Sequence, residues 1–269
     1  MSAAQYEVLI VRYGSRQTAR SGVFLNYGLY GEPDGPIGMD YFFWVVRNRE
    51  RTLLIDTGFS AAGGANRGRT TLVPPPTAFD ALGIRPADEP TVIVTHAHYD
   101  HIGNLDYFHR SPIVIAQAEL DFWRSPGARH ILFHHSAEDA DLEVLERAAV
   151  EGRVHPFADR VTVSPGIEVL RVGGHTPGQS VVIVQTGDGP VLLASDAVHY
   201  YEECDRNMPF VSVADLPAMY AGFDTVRGMM ADRRVQHLVS GHDPDTFGRF
   251  RPDGSGPLAG NVARIGGLS

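Results

Sequence analysis

The sequence predicts an α/β fold, in which helices pack on β-sheets within a single domain spanning residues 1–269. Short apolar segments rich in β-branched residues form two blocks along the chain, and these are typical of strands. Segments with helical spacing lie between and after the two blocks, and no low-complexity linker or internal repeat divides them. This order of elements argues for α/β layers around sheets.

The first block of the chain contains a hairpin and a buried strand. A charged turn at residues 48–51 joins the hairpin strands. Residues 59–75, rich in Gly, Arg, Thr and Pro, are predicted to form a loop that lies over the candidate site at the end of the buried strand. Thr77 is a suitable N-cap for a short helix. The predicted strands are Tyr6–Tyr13, Met39–Arg47, Thr52–Ile55 and Thr91–Val94, and the predicted helix is Thr77–Leu82.

The second block alternates strands and helices. The tail, residues 251–269, is Gly-rich and is predicted to be poorly ordered or draped on the surface. The predicted strands are Ile113–Ala116, Ile167–Val172, Ser180–Gln185, Val191–Ala194 and Val235–Val239, and the predicted helices are Gln117–Arg124, Glu138–Val150 and Leu216–Met230.

Four metal-capable side chains follow the strand that ends at Val94. They are His96, His98, Asp100 and His101. Imidazole and carboxylate groups are the usual ligands of zinc and of neighbouring divalent transition metals. Since residues two apart in an extended chain point to one side, the first two imidazoles can face one ion, and the next two side chains can face a second.

Three later side chains have the same position at the end of a predicted strand. His175 follows the strand ending at Val172, Asp196 follows the one ending at Ala194, and His242 follows the one ending at Val239. A lone histidine in such a place is unremarkable. Three ligand types at equivalent positions, together with the first cluster, predict a metal site.

Composition narrows the possible partners and location. The formal net charge of -9 argues against a nucleic-acid partner, which usually needs a basic patch. One cysteine, Cys204, excludes an intrachain disulfide. The first twenty residues do not resemble a signal peptide, and no apolar run approaches the roughly 20 residues that span a bilayer. We expect a cytoplasmic protein without a membrane partner.

The pattern His96-x-His98-x-Asp100-His101, followed by the three later ligands, resembles the binuclear signature of the metallo-β-lactamase superfamily. Asp56-Thr57-Gly58 and residues 174–178 resemble its accessory motifs, and the likeness covers a core of about residues 40–245. It implies an αβ/βα four-layer sandwich with the metals at one edge. By the same resemblance His96, His98 and His175 hold one ion, Asp100, His101 and His242 hold the second, and Asp196 bridges them.

A bridging carboxylate has a physical reason. Two neighbouring dications repel each other, and Asp196 can offset that repulsion. A hydroxide bridging the ions forms easily, because metal binding lowers the pKa of water to roughly 7. The implied cofactors are two divalent ions, zinc first, with iron, manganese and cobalt also suited to these ligands. The implied chemistry is hydrolysis of a carbonyl or ester.

The chain contains the run Ser195-Asp196-Ala197, then Pro209-Phe210 and Gly222-Phe223-Asp224, and later Gly241-His242-Asp243. By these segments and its length it most resembles, within the superfamily, the N-acyl homoserine lactonases. This resemblance implies a small-molecule lactone or ester as substrate and a monomer or homodimer. That group has a tyrosine donor three residues after the bridging aspartate, where this chain has His199, followed by Tyr200. The candidate catalytic residues are therefore Asp100, His199 and Tyr200.

Two alternatives stay open on the sequence. A glyoxalase II-like thioesterase uses the same ligands but grips its substrate with a basic, helical C-terminal region, whereas this chain offers mainly glycines there. A non-catalytic metal-binding protein of the same fold usually lacks some ligands, whereas all seven stand here. A true β-lactamase is less well matched, since it has cysteine where this chain has Asp196.

Some further residues have both a functional and a structural interpretation. Asp56 is expected to accept a hydrogen bond from a ligand histidine, or else to cap its turn. His130, His134 and His135 either line the substrate pocket or lie on the surface. Phe42, Phe43 and Trp44 either shape an acyl pocket or belong to the core.

Overall fold

The computed structural model describes residues 4–268. Its strands form two sheets that pack face to face. The strands, in chain order, are β1 (Glu7–Ala19), β2 (Pro36–Arg47), β3 (Thr52–Ile55), β4 (Thr70–Thr71), β5 (Thr91–Ile93), β6 (Ile113–Ala116), β7 (Val154–Phe157), β8 (Arg160–Ser164), β9 (Ile167–Arg171), β10 (Ser180–Thr186), β11 (Gly189–Leu193), β12 (His237–Val239), β13 (Arg251–Pro252) and β14 (Val262–Ile265).

The α-helices are mostly short, and single 3-10 turns connect several of them. They are α1 (Ala61–Asn66), α2 (Pro75–Ala81), α3 (Tyr99–Ile102), α4 (Gln117–Arg124), α5 (Ile131–His134), α6 (Asp139–Val150), α7 (Tyr201–Arg206), α8 (Leu216–Ala231) and α9 (Thr246–Arg249). Among the described residues no helix is long and apolar enough to cross a membrane.

The larger sheet has the order β13-β14-β1-β2-β3-β5-β6-β7, with β4 beside β1. Its β3, β5, β6 and β7 strands run parallel, so their carboxyl ends share one edge. The smaller sheet has the order β12-β11-β10-β9-β8, and β11 and β12 are parallel. In α/β sheets the carboxyl ends of the parallel strands are where ligands bind.

Three apolar clusters hold the layers together. The middle cluster joins the inner faces of both sheets, with Trp44 and Phe42 meeting Val182 and Val191. The second cluster packs α2, α4 and α6 on the outer face of the larger sheet. The third places α8 on the smaller sheet through Phe223. Central strands such as β2, β6 and β10 therefore bury both faces, as the predicted αβ/βα sandwich requires.

The predicted elements are largely confirmed, and three differences matter for the site. The tail is not draped on the surface: β14 pairs with β1, and Ile265 lies in the core. The first strand continues to Ala19, six residues beyond the predicted end at Tyr13. Residues 59–75 contain α1, whose Ser60 hydroxyl accepts a hydrogen bond from Gly63 N, so this segment is more than a loop.

Candidate metal centre and cleft

The seven predicted ligands converge at one edge of the two sheets. Loops after the carboxyl ends of β5, β9, β11 and β12 carry five of them, and α3 carries the other two. All seven side chains are buried, although every one is polar or charged. Buried polar groups are costly unless they are paired. The ligand candidates are His96, His98, Asp100, His101, His175, Asp196 and His242.

The ligand atoms form two groups. His96, His98, His175 and Asp196 make one group, and Asp100, His101 and His242 make the other, with the atoms of each group within 4.8 Å of one another. In the first group His98 Nδ1 lies 2.9 Å from His175 Nε2. In the second, each Asp100 oxygen lies 3.8 Å from one imidazole Nε2. Each group is compact enough to surround a single ion.

Asp196 lies between the two groups, with one oxygen toward each. Its Oδ2 is 3.3 Å from His175 Nε2 and 3.7 Å from His96 Nε2. Its Oδ1 is 3.1 Å from His242 Nε2 and 3.3 Å from His101 Nε2. A single carboxylate divided in this way has the geometry of a bridge between two cations.

The imidazoles have the free donor atoms that a metal needs. Within the described residues, the Nε2 atoms of His96, His101 and His242 are buried and have no hydrogen-bond partner. Unpartnered buried nitrogens are rare in folded proteins unless a ligand satisfies them. The donor set of imidazole nitrogens and carboxylate oxygens therefore fits zinc and its transition-metal neighbours.

Outer acceptors fix the orientation of three imidazoles. Nδ1 of His101 is 2.7 Å from Asp56 Oδ2, Nδ1 of His175 is 2.7 Å from Ser212 O, and Nδ1 of His242 is 2.7 Å from Asp40 O. When Nδ1 donates outward, the Nε2 lone pair faces the centre. The predicted hydrogen bond to Asp56 from a candidate ligand histidine is confirmed, and the same carboxylate accepts from Thr95 N.

Burial and charge set the protonation of the cluster. Burial holds the pKa of His96 and His98 well below the ordinary value, and it lowers that of His175 to about 3. These rings are neutral and can act as ligands. Burial raises the pKa of Asp196, but the surrounding histidines, His242 first, outweigh burial and hold it well below its usual range.

Glu119 ties the two histidine-bearing loops of the first group together. One carboxylate oxygen accepts from Ala97 N at 2.9 Å and from Trp123 Nε1 at 2.8 Å. The other accepts from Thr176 Oγ1 at 2.7 Å and from Gly178 N at 2.9 Å. Glu119 is not among the residues predicted from the sequence, because nothing in α4 indicates that its first turn faces the loops after β5 and β9.

The backbone beside the ligands is strained or tightly packed. Asp56 and Ser195 have positive φ values of 61° and 46°, in the left-handed region that side chains rarely adopt. A Cβ on Gly178 would lie 2.3 Å from Glu119 Cβ, so only glycine fits where the loop after β9 meets α4. Strain of this kind gathers at functional sites.

The structure separates the two predicted donors. The Tyr200 hydroxyl donates to Gly38 O at 2.9 Å, and its ring packs against Phe24, away from the candidate ligands. Tyr200 does not line the cleft over them, so the structure does not support its donor role. His199 is fully buried and its Nε2 lies 3.1 Å from Asp196 Oδ2, while Phe210 stacks on its ring at 3.9 Å between centroids.

A cleft of about 240 Å³ opens over the candidate ligands. Of the three loop histidines, only His135 lines it, whereas His134 pairs with Asp139 on the surface. The acyl-pocket interpretation of Phe42, Phe43 and Trp44 is wrong, since all three lie in the core. Besides ligand candidates and His135, the cleft is lined by Arg16, Gly22, Met39, Tyr41, Arg67, Arg69, Tyr99, Ser136, Phe210, Val211 and Ser212.

Comparison with known proteins identifies the class. Residues 40–216 match the Metallo-beta-lactamase superfamily, and the chain belongs to this family. The match includes most of β2, the strands β3 to β11 and the candidate ligands from His96 to Asp196, whereas β1, β14 and His242 lie outside it. The family and the His/Asp site together place the chain among the metal-dependent hydrolases of the superfamily.

The chain is similar in sequence to two curated N-acyl homoserine lactonases. The chain is 26% identical over 230 residues to an N-acyl homoserine lactonase from a Bacillus species, covering 80% of this chain and 82% of the relative. It is 28% identical over 182 residues to the N-acyl homoserine lactonase AttM of Azorhizobium caulinodans, covering 64% of each.

The fold of the chain resembles that of a quorum-quenching N-acyl homoserine lactone lactonase, with a TM-score of 0.72, 18% identity and coverage of 91% and 95% of the two chains. It also resembles AidC, a dizinc quorum-quenching lactonase, with a TM-score of 0.69, 19% identity and coverage of 91% and 90%.

Proposed function

We propose that this protein is a binuclear metal-dependent lactonase that opens the ring of a small lactone of the N-acyl homoserine lactone type. The observation that carries the proposal is the division of Asp196 between two groups of buried ligand types. The similarity to lactonases over 80% of the chain supports the choice of a lactone.

The ligand assignment follows the two groups. His96, His98 and His175 would hold one ion, Asp100, His101 and His242 would hold the second, and Asp196 would hold both. Two divalent ions, with zinc first, would supply a bridging hydroxide at neutral pH and polarise the substrate carbonyl.

In the overall reaction, one water is consumed. Its oxygen adds to the lactone carbonyl carbon, the ring C–O bond breaks, and the ring oxygen takes up a proton to give a hydroxy acid. The chain's own contribution is a buried, prearranged set of charges at one end of a small cleft. Such a set stabilises charge that develops in the transition state without reorganising during the reaction.

The C-terminal region supports a lactone over a thioester. After His242, the described residues form the four-residue α9 and the two strands β13 and β14. This is not the helical, basic region expected of a glyoxalase II-like thioesterase. Cytoplasmic location, absence of a nucleic-acid partner and a monomeric or dimeric state stay predictions.

A substrate panel tests the proposal. The metal-loaded protein is assayed with N-hexanoyl homoserine lactone, γ-butyrolactone, a thioester and a β-lactam, before and after dialysis against a chelator. We expect the lactones to have the highest kcat/KM and all turnover to stop with the chelator. A thioester turned over faster than any lactone would overturn the substrate class, and no turnover of any compound by protein with two bound ions would identify a non-catalytic member.

A further inference from the structure

The cleft contains cationic side chains that the hydrolysis of a neutral lactone does not require. Arg16, on β1, and Arg69, between α1 and β4, both line it and are half-buried. Arg67 also lines the cleft, but it forms an ion pair with Glu138. This concentration of positive side chains in one cleft contrasts with the formal net charge of -9 of the whole chain.

Arg16 and Arg69 have no carboxylate partner among residues 4–268. The Arg16 Nε contacts Met39 Sδ at 3.1 Å. The Arg69 Nε donates to the Tyr99 hydroxyl at 2.9 Å, and its Nη1 donates to Arg67 O at 3.0 Å. Both guanidinium groups therefore keep N–H donors free, beside the opening to the ligands. A guanidinium fork is well suited to bind a carboxylate or a phosphate.

The acidic groups that line the cleft do not pair with Arg16 or Arg69. The carboxylates that line the cleft are Asp100 and Asp196, and both face the ligand histidines. With two dications bound, their charge would be more than neutralised. The cleft would then carry a net positive charge. Most of this charge would lie at the metal end, and the two guanidinium groups would add to it on the wall.

We propose, on the basis of the lactonase function above, that the substrate carries an oxyanion, and that Arg16 and Arg69 bind it while the lactone carbonyl lies over the ligands. A carboxylate is the occupant that matches the planar guanidinium fork best, and a phosphate monoester offers the same chemistry. The substrate is thus a small lactone whose substituent carries a carboxylate or a phosphate group.

The test uses matched lactones. The probes are γ-butyrolactones that bear, on the carbon next to the ring oxygen, a carboxylate, a carboxamide or a phosphorylated hydroxymethyl group. We expect kcat/KM for the carboxylate to exceed that for the amide by about tenfold or more, and this ratio to fall by about tenfold in Arg16→Gln and in Arg69→Gln. Arg85→Gln, which removes an exposed arginine paired with Asp88, should leave the ratio unchanged.

Several outcomes would contradict the proposal or refine it. Equal kcat/KM for the acid and the amide would overturn it while leaving the lactonase function intact. A phosphate preferred over the carboxylate would support an oxyanion site and name its occupant. Calorimetric binding of cyclopentanecarboxylate against cyclopentanecarboxamide decides the matter even if neither lactone is hydrolysed. Tighter binding of the carboxylate that is lost in Arg16→Gln and in Arg69→Gln supports the site, whereas equal binding, or a preference that both variants keep, overturns it.

A separate set of contacts concerns His199. Its Nδ1 lies 3.2 Å from Glu203 Oε2, and its buried Nε2 has no hydrogen-bond partner among the described residues although Asp196 Oδ2 is 3.1 Å away. This is the arrangement of His101 and His242, in which Nδ1 faces an outer acceptor and a buried Nε2 faces Asp196. The Phe210 ring covers the imidazole, and His199 does not line the cleft.

We infer that His199 is an additional ligand of the ion held by the first group, and that it does not contact the substrate. Asp196 Oδ2, the oxygen nearest His199, is also the oxygen that faces His96 and His175. Glu203 would then hold the ring by accepting from Nδ1, as the outer carboxylates of metal-bound histidines do.

Cobalt substitution tests this inference without relying on turnover. In His199→Phe we expect a changed Co²⁺ d–d spectrum and an affinity for one of the two ions that is lower by at least about tenfold. His109→Phe, at an exposed position, should match the unmodified protein. His199→Gln replaces the phenylalanine variant if that one does not fold. An unchanged spectrum and affinity, with lost lactone turnover, would show that His199 is a substrate donor and would overturn the inference.

Discussion

In Asp196→Asn, kcat/KM for the best lactone should fall by at least about a thousandfold. The substitution keeps the shape of the side chain but removes its charge. One of the two candidate ligand groups would then face an amide NH2 in place of an Asp196 oxygen. A metal pair contributes several kcal/mol of transition-state stabilisation, and each 1.36 kcal/mol is a factor of about ten in rate. Metal analysis should show that the variant binds fewer than two ions.

The control for this variant is Asp205→Asn, which changes an exposed aspartate of α7. It should keep both the metal content and the turnover of the unmodified protein. Circular dichroism should show that Asp196→Asn is folded, because the fold is held by three apolar clusters that do not include this side chain. Normal turnover by a folded Asp196→Asn protein would contradict the bridging role.

The second large effect is expected on stability. Glu119→Ala should lower the free energy of unfolding by about 3 kcal/mol or more, because it leaves three buried donors and the half-buried Trp123 Nε1 without their acceptor, at about 1–3 kcal/mol for each buried unsatisfied group. For a chain of this size, such a loss lowers Tm by about 10 °C. Metal affinity should fall as well, since the carboxylate joins the loops that carry His98 and His175.

Glu146→Ala is the matched control, because Glu146 is an exposed helix carboxylate paired with Arg124. It should shift Tm by no more than about two degrees, since exposed ion pairs contribute about 0–1 kcal/mol. Glu119→Gln keeps the side-chain volume and one acceptor oxygen, so its Tm should lie between those of Glu119→Ala and Glu146→Ala. A Tm for Glu119→Ala equal to that of the control would show that the four contacts contribute little.

The convergence of the seven candidate ligands was predictable because its signal is local. Each predicted ligand follows a short apolar strand, and residue type and position along the chain suffice to find it. The outer carboxylates differ in this respect. Asp56 stands in an accessory motif and could be predicted, whereas Glu119 contacts Thr176 across 57 residues and begins an ordinary amphipathic helix. No local pattern reports such a long-range contact.

The errors also have physical reasons. The glycines of the tail suggested disorder, yet Val262–Ile265 adds a strand between β13 and β1 and buries Ile265 in the core. The donor role of Tyr200 rested on its position next to His199. In the structure, neighbouring side chains on an extended segment point to opposite sides, and the Tyr200 hydroxyl reaches Gly38 O.

The central claim is that two cations lie on either side of one carboxylate. Anomalous diffraction at the zinc edge, from crystals of the zinc-loaded protein, tests it most directly. We expect two peaks, about 3.5–4 Å apart, one beside each Asp196 oxygen. A single peak, or a pair of peaks that Asp196 does not touch, would contradict the account.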